Sequence, residues 1–423
     1  MPVEVLATAN LILLGLVSLL TDVSTEMVYP LLPFYLTLRL GASPAVLGLI
    51  EGLAESLASL LKVVSGRVSD RLRRRKGLAV LGYASSGIGK VVFYFAGTWG
   101  GVLVGRLADR FGKGIRTAPR DALVAESAPE GRRGWAFGLH RSMDTFGAAV
   151  GAFLAYWLLL RLGGGTGVSG VTAGGFRPIF LIALIPAALG VAVLVWVKET
   201  GSGRAGEPVA GPQGGAAAPA PVFATSLWAA FGRLDPRLKT LLVVTGVFTL
   251  GNSSNQFLLL RVAEGIGPAG AVLAYALFNV SYALFSWPAG WLSDRVGRQR
   301  VLIVGFLLYA VVYGGLAFGL GQGWAGSIIL FLLYGVYSAL TDGVAKALVA
   351  DFAPGELRAT VIGLHSTIVG IGLFPASLLA GVLWSAFGPW AAFALGAAAG
   401  LAAAAGLVCF PRRKRAGPTV RLL

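Results

Sequence analysis

Residues 122–140 read ALVAESAPEGRRGWAFGLH and residues 347–365 read ALVADFAPGELRATVIGLH, and the two align without a gap. A second pair, GRVSDR at 66–71 and GWLSDR at 290–295, recurs at almost the same separation. Self-similarity at a fixed long spacing marks a duplicated unit, so the chain has two halves built alike.

The unit that repeats is a bundle of membrane helices. Of 423 residues 56% are hydrophobic and only 13% are charged, which excludes an ordinary soluble globule of this length. Crossing a bilayer core takes roughly 20 apolar residues, and the chain offers about twelve such stretches. They are predicted at 8–36, 45–69, 77–97, 99–126, 135–160, 177–197, 239–261, 268–293, 300–319, 325–352, 358–385 and 388–410. Backbone polar groups in lipid must bond within their own segment, and these stretches are too long for barrel strands, so the fold class is all-α. Segment 199–238 contains GSGRAGEPVAGPQGGAAAPAP, a composition suited to a flexible linker, and it divides the spans six and six. The expected organisation is a six-helix bundle at 1–198, a linker at 199–238, a second six-helix bundle at 239–410 and a basic tail at 411–423.

The formal charge of +16 raises the possibility of nucleic acid, and the placement of the charge answers it. RLRRRK at 71–76, GRR at 131–133, DRVGRQR at 294–300 and RRKR at 412–415 fall on one side of a twelve-span arrangement, while the other side keeps little beyond Arg39, Arg161 and Arg177. That asymmetry is the positive-inside rule, which places both termini and the linker in the cytoplasm of a cell whose plasma (inner) membrane holds the protein. No basic soluble domain is present for DNA. The single cysteine, Cys409, excludes an intramolecular disulfide, no metal or cofactor set emerges, and residues 1–10 lack the basic start of a cleavable signal.

Both loops after the second helix of each half carry a distinctive pattern: Gly290, Asp294, Arg295, Gly297 and Arg298 in the second copy, and Gly66, Asp70, Arg71, Arg74 and Arg75 in the first, where Arg73 takes the place of the second glycine. This resembles the Gly-x-x-x-Asp-Arg-x-Gly-Arg element of the major facilitator superfamily, and the resemblance covers essentially the whole chain. It implies two pseudo-symmetric six-helix bundles that rock about a central cavity. Physically, glycine lets two helices approach closely, and an aspartate beside arginines can hold a helix end in one conformation, so Gly66, Asp70, Arg71, Gly290, Asp294 and Arg295 are expected to act in gating.

Residues 105–126, GRLADRFGKGIRTAPRDALVAE, place Arg106, Asp109, Arg110, Lys113, Arg116 and Arg120 within an arc of about 120° on a helix. Charges at membrane depth are costly, so they face water or partners. By the family resemblance the first and fourth helices line the cavity, and Arg110-Phe-Gly-Lys113-Gly114 is similar to the family's Arg-x-x-x-Gly element tied to proton transfer. Depth along antiparallel helices puts Asp22 level with Lys113 and Glu26 level with Arg110. Occlusion and opening can then move these acids between charged and neutral forms, so Asp22, Glu26 and Arg110 are the expected proton-coupling group. TDVSTEM at 21–27 matches GNSSNQF at 251–257, which turns Asp22 into Asn252 and Glu26 into Gln256. Arg110, Lys113, Arg116 and Arg120 likewise become Gly335, Ser338, Thr341 and Ala345. The expected substrate cavity combines Arg106, Lys113, Arg116 and Arg120 with Asn252, Asn255, Gln256, Tyr334, Tyr337, Ser338 and Asp342. Its positive bias favours an anionic or zwitterionic passenger.

His140 and His365 occupy equivalent places in the repeats and are expected at an intracellular gate, with Asp144 beside His140. Glu51, Glu55 and Lys62 share one face of the second helix and are expected to tie it to a neighbour. Tyr29-Pro30-Leu-Leu-Pro33 resembles the paired-proline element of proton-coupled efflux members, although Gly147–Gly151 lacks the proline often found on helix five of antiporters. The expectation is thus a monomeric, non-enzymatic secondary transporter of a small molecule, with protons as the coupling ion and export as the direction. Multidrug antiport, symport and uniport are the alternatives within that class, and a receptor or scaffold is the alternative outside it. No Ser/His/Asp grouping or phosphate loop supports an enzyme.

Overall fold

The computed structural model describes residues 3–72, 75–128, 133–162, 175–199, 235–352 and 358–409. Most of the predicted linker, and the basic tail, lie outside the described residues. Every regular element among the described residues is helical. In the first half these are α1 (Val3–Val28), α2 (Pro44–Leu72), α3 (Arg75–Phe95), α4 (Trp99–Glu126), α5 (Arg133–Leu162) and α6 (Phe176–Val193). In the second they are α7 (Pro236–Gly251), α8 (Asn255–Val296), α9 (Arg298–Ala317), α10 (Trp324–Phe352), α11 (Arg358–Phe387) and α12 (Pro389–Val408). Beyond α1 the chain winds on through a 3₁₀ turn at Tyr29–Leu31 and a π turn at Tyr35–Arg39, the local distortion expected where Pro30 and Pro33 remove backbone donors.

Nine helices among the described residues are long and apolar enough to cross a membrane. The longest such stretch, Pro236–Val296, has 61 residues, about three times the length one crossing needs. It is divided by Gly267, whose φ of +73° suits glycine, followed by Pro268, so it makes two crossings. α2 and α4 have 29 and 28 residues and match the others in length, but their charges set them apart.

The helices pair in the same way in each half. α3 packs on α4 as α9 does on α10, α2 on α4 as α8 on α10, and α1 on α5 as α7 on α11. The halves meet through α2 against α11 and α5 against α8, so each second helix leans on the fifth of the other half. Two crossings depend on missing side chains. A Cβ at Gly112 of α4 would stand 2.3 Å from the Gly82 carbonyl oxygen of α3, and a Cβ at Gly48 of α2 would stand 2.1 Å from the Ser377 carbonyl oxygen of α11.

α7 stops at Gly251 and α8 starts at Asn255, leaving residues 252–254 out of the helix. The freed Gly251 carbonyl accepts from Tyr309 Oη at 2.8 Å, and the Ser254 hydroxyl caps α8 by accepting from Gln256 N–H. Backbone groups broken at membrane depth are thereby satisfied by protein, as lipid requires.

Candidate functional site

The charged face of α4 turns into the protein, not toward lipid. Arg106, Asp109, Arg110 and Arg116 are all buried. Arg106 is gripped bidentately by Glu51 of α2, with Nε–Oε1 at 2.6 Å and Nη2–Oε2 at 2.8 Å, and it also reaches Glu55 and Asp109, each at 3.3 Å. Its guanidinium lies 5.0 Å from the ring centre of Tyr29. Arg110 pairs with Glu55 at 3.0 Å and Asp109 at 3.2 Å. Asp109 in turn faces Lys90 of α3 at 3.6 Å. Arg116 donates to Ser86 Oγ and stacks over Tyr83, 4.7 Å from the ring centre. The predicted tie of Glu51 and Glu55 to a neighbour is this pairing with α4. The role of Lys90 was not foreseen, although a lone lysine inside the apolar span 77–97 is by itself the sign of a buried partner.

These contacts correct two expectations. Arg110 has Glu55 and Asp109, not Asp22 or Glu26, as its ion-pair partners, because α2 rather than α1 covers that part of α4. Arg106 and Arg116 are sealed by α2 and α3 and do not line an open cavity in this conformation. The cations acting most strongly on Asp22 are Lys113 and Arg116, with Asp144 the acid beside it, and on Glu26 they are Lys113 and Arg110. Neither acid has an ion pair within 4 Å among the described residues, and Glu26 Oε2 is buried without a hydrogen-bond partner. Lys113 is half-buried and also lacks an ion pair at that distance.

A polar chain leads from these acids into the second half. Asp144 of α5 accepts from Ser18 Oγ at 2.7 Å and pairs with Arg120 at 3.9 Å and Arg141 at 3.4 Å; Arg120 also binds Asp121 at 2.8 Å. Arg141 donates to Tyr282 Oη of α8 at 3.4 Å, and Tyr282 donates to Asp342 of α10 at 3.1 Å. Each of these ion pairs, like those of Arg106 and Arg110, stays within the six helices of one half; what passes between halves is hydrogen bonding.

The cavity beside this chain has a volume of about 1010 Å³ and lies between α5, α8 and α10. Gly138, Arg141, Thr145, Tyr282, Trp287 and Asp342 are among the residues on its wall. They occupy the ends of those helices nearest residues 71–76 and 294–300, so the cavity opens at the basic end. The opposite, far end is closed: Ser254 Oγ of the second half donates to Glu51 Oε2 at 3.2 Å and touches Tyr29 Oη at 3.3 Å, while Ser56 Oγ donates to the Gly370 carbonyl at 2.9 Å.

Of the predicted second-half cavity residues, Asp342 lines this cavity and Asn252, Asn255, Gln256, Tyr334, Tyr337 and Ser338 do not. A tyrosine cluster fills the space they occupy. Tyr309 and Tyr313 stack with ring centres 4.0 Å apart, Tyr334 and Tyr337 lie 5.2 Å apart, and Tyr334 Oη donates to Asn255 at 2.8 Å. Gln256 is fully buried, and its amide oxygen and nitrogen both lack hydrogen-bond partners.

At the basic end Arg298 joins Asp294 at 3.1 Å, Asp351 at 2.5 Å and the Ala347 carbonyl at 3.0 Å, locking the start of α9 to the end of α10. The first half forms the corresponding pair, Arg75 with Glu126, and Glu126 aligns with Asp351 in the repeat. Arg295 lies instead over Trp291, 3.8 Å from its ring centre, and Arg71 is exposed. A Cβ at Gly66 would meet Ala118 Cβ at 3.4 Å, an ordinary contact, while a Cβ at Gly290 would meet nothing within 4 Å, because Gly290 faces the open cavity and no helix approaches it here. The Asp70 side chain lies outside the described residues. His140 and His365 are both buried, each with one ring nitrogen unpartnered. Arg298→Ala is expected to loosen the α9–α10 junction by about 1 kcal/mol, read as faster amide exchange across residues 344–352.

The two-half architecture and the basic-end arginine latches can be set against known proteins. The family model of the Major Facilitator Superfamily matches residues 14–258 and again 241–422. The chain belongs to the Major Facilitator Superfamily. An MFS-type transporter of Methanocaldococcus jannaschii is 36% identical over 382 residues, which cover 89% of this chain and 88% of that one. A multi-drug resistance efflux pump of Streptococcus pneumoniae is 35% identical over 118 residues, 28% of this chain and 29% of the pump. Among solved structures the nucleoside transporter NupG, in a mutant form, superposes with a TM-score of 0.75 at 14% identity, covering 95% of this chain and all of its own, a likeness of fold. The chain is therefore a multi-pass membrane protein with an MFS transporter fold.

Proposed function

We propose that this MFS protein is a proton-coupled secondary transporter that works by alternating access, with a small organic anion or zwitterion as its passenger. The observation that carries the reading is the pair Asp22 and Glu26: two carboxyl groups on α1, at membrane depth, without an ion pair in contact among the described residues, both in the field of Lys113. Lys113 takes the place first given to Arg110. A carboxylate so placed gains or loses a proton when its access to water changes, which is what coupling demands. The open basic end corresponds to the cytoplasm under the positive-inside rule, with both termini there and the plasma membrane as location. The two bundles move as units, one protein chain sufficing for transport.

Export by proton antiport is the direction we favour, on the paired prolines Pro30 and Pro33 and on the partial likeness to an efflux pump. The charge balance of the core tempers the argument for a purely anionic passenger. Glu51, Glu55 and Asp109 neutralise most of the α4 stripe, so a zwitterion, or a drug-like solute, fits better than the sequence implies.

Purified protein in vesicles tests the reading. Asp22→Asn with Glu26→Gln is expected to lower accumulation driven by a pH gradient by at least about tenfold while exchange without a gradient persists. Undiminished gradient-driven flux in the double variant removes these acids from the mechanism.

A further inference from the structure

We infer that Arg141 and Asp342 hold the two ends of a zwitterionic passenger of the amino-acid class, its carboxylate on Arg141, its ammonium on Asp342 and an apolar side chain deeper in the cavity. The inference rests on the transporter reading and deepens it by naming the passenger's class and the residues that recognise it. Arg141 stands on α5 and Asp342 on α10, so each half supplies one charge.

Both residues line the cavity that opens at the basic end, and so does Tyr282. Tyr282 Oη lies between them, 3.4 Å from Arg141 Nη2 and 3.1 Å from Asp342 Oδ2. Laid end to end, 3.4 Å and 3.1 Å put the two charged atoms no more than 6.5 Å apart. The ammonium and carboxylate of an amino acid are closer together than that, so one molecule lying alongside Tyr282 can meet both residues. Further from the basic end, Phe146 and Ala149 of α5, Val280 of α8 and Ala339 of α10 give the cavity an apolar wall. A hydrocarbon side chain leaves water there while the charged end stays level with Tyr282.

Neither residue is firmly engaged. The Arg141 side chain is 64% exposed, and its contacts with Asp144 and Tyr282 are both long at 3.4 Å, whereas Arg106 holds Glu51 at 2.6 Å and 2.8 Å. Asp144 has Arg120 and Ser18 besides. Asp342 is exposed to the cavity, and among the described residues it accepts from Tyr282 alone and has no ion pair within 4 Å. An open carboxylate selects a cationic group, and a guanidinium with donors to spare selects a planar carboxylate. Asp294 and Arg298, also on the wall, hold each other at 3.1 Å. Lys346, one turn along α10 from Asp342 toward the opening, adds a cation there, so an anion without an ammonium group is the rival occupant.

Thermal unfolding of the full-length protein in a neutral detergent at constant ionic strength gives the test, with phenylalanine, phenylalaninamide and N-acetylphenylalanine as probes. Phenylalanine is expected to raise the midpoint. The amide and the acetylated form each lack one charge and are expected to bind at least about tenfold more weakly. Asp342→Asn is expected to erase the preference over N-acetylphenylalanine, and Arg141→Gln the preference over phenylalaninamide, a matched pattern that a merely structural role does not produce. The probe series on the parent protein decides even where a variant fails to fold. No shift from phenylalanine, equal shifts from all three probes, or preferences unchanged in the variants overturn the inference. Stronger binding of N-acetylphenylalanine also overturns it, by giving the cavity to an anion on Arg141 and Lys346. So does stabilisation by phosphatidylethanolamine in mixed micelles with none from phenylalanine, which assigns the two residues to a lipid headgroup. Vesicle flux separates this from failure of the transporter reading: pH-driven flux of another solute that ignores both substitutions sinks the zwitterion site alone, whereas absence of flux for a broad solute panel sinks the reading beneath it.

Discussion

Arg106→Ala is expected to cost about 3–5 kcal/mol of stability, because it leaves Glu51 as a buried charge without its counter-charge. Glu51 and Arg106 side chains are each 1% exposed, so water cannot replace what is lost. Glu55 and Asp109 lose a contact too, although Arg110 still holds both. The measurement is thermal unfolding in detergent, where the midpoint should fall steeply and expression with it. The paired replacement Arg106→Met with Glu51→Gln removes both charges and is expected to recover most of the loss. A single variant that melts with the parent protein shows that water or another base reaches Glu51, and the buried pair then loses its structural weight.

Gly48→Leu is expected to have the largest effect on conformation. Its Cβ would stand 2.1 Å from the Ser377 carbonyl, a backbone atom that cannot swing away, so the far-end seam between α2 and α11 cannot close as it does here. Overpacking of this kind costs about 1–3 kcal/mol, enough to shift a two-state population about fivefold to a hundredfold toward the state in which that seam is parted. Cys409 is the single cysteine, so Cys409→Ser provides a clean background for Ser56→Cys, a reporter in the seam where the Ser56 hydroxyl meets the Gly370 carbonyl of α11. Its labelling by an impermeant thiol reagent from the far side should rise about tenfold with Gly48→Leu. Unchanged labelling, with intact protein, means that α2 and α11 can close around the larger residue.

The fold was legible because its signals are long and redundant. Spans of 20 or more apolar residues, a repeat that aligns without gaps and a one-sided distribution of arginine each point to the same architecture. Nothing in the matched segments TDVSTEM and GNSSNQF announced that the second breaks its helix at residues 252–254. The charged face of α4 was legible as a stripe, while its partners were not. Depth along antiparallel helices ranks residues by height and says nothing of which neighbour covers which face. That choice belongs to packing: the bare Gly112 and Gly82 bring α3 against α4, and α2 closes over the other flank, so Arg106 and Arg110 meet Glu51 and Glu55 before any acid of α1. Depth alone put Asp22 level with Lys113 and Glu26 level with Arg110; in the structure Lys113 is the leading cation for both acids.

The confinement of the ion pairs to single halves bears on how such a molecule can turn over quickly. Parting the α2–α11 seam exchanges the Ser254, Tyr29 and Ser56 hydrogen bonds, each worth about 0.5–1.5 kcal/mol, for similar bonds to entering water. For the buried ion pairs among the described residues the far larger cost of separating opposite charges in a dry interior is not incurred, since Arg106 travels with Glu51 and Arg120 with Asp144. The interface behaves as a bearing with the electrostatic fasteners kept inside each moving part, so the machine can be rigid within its halves and loose between them.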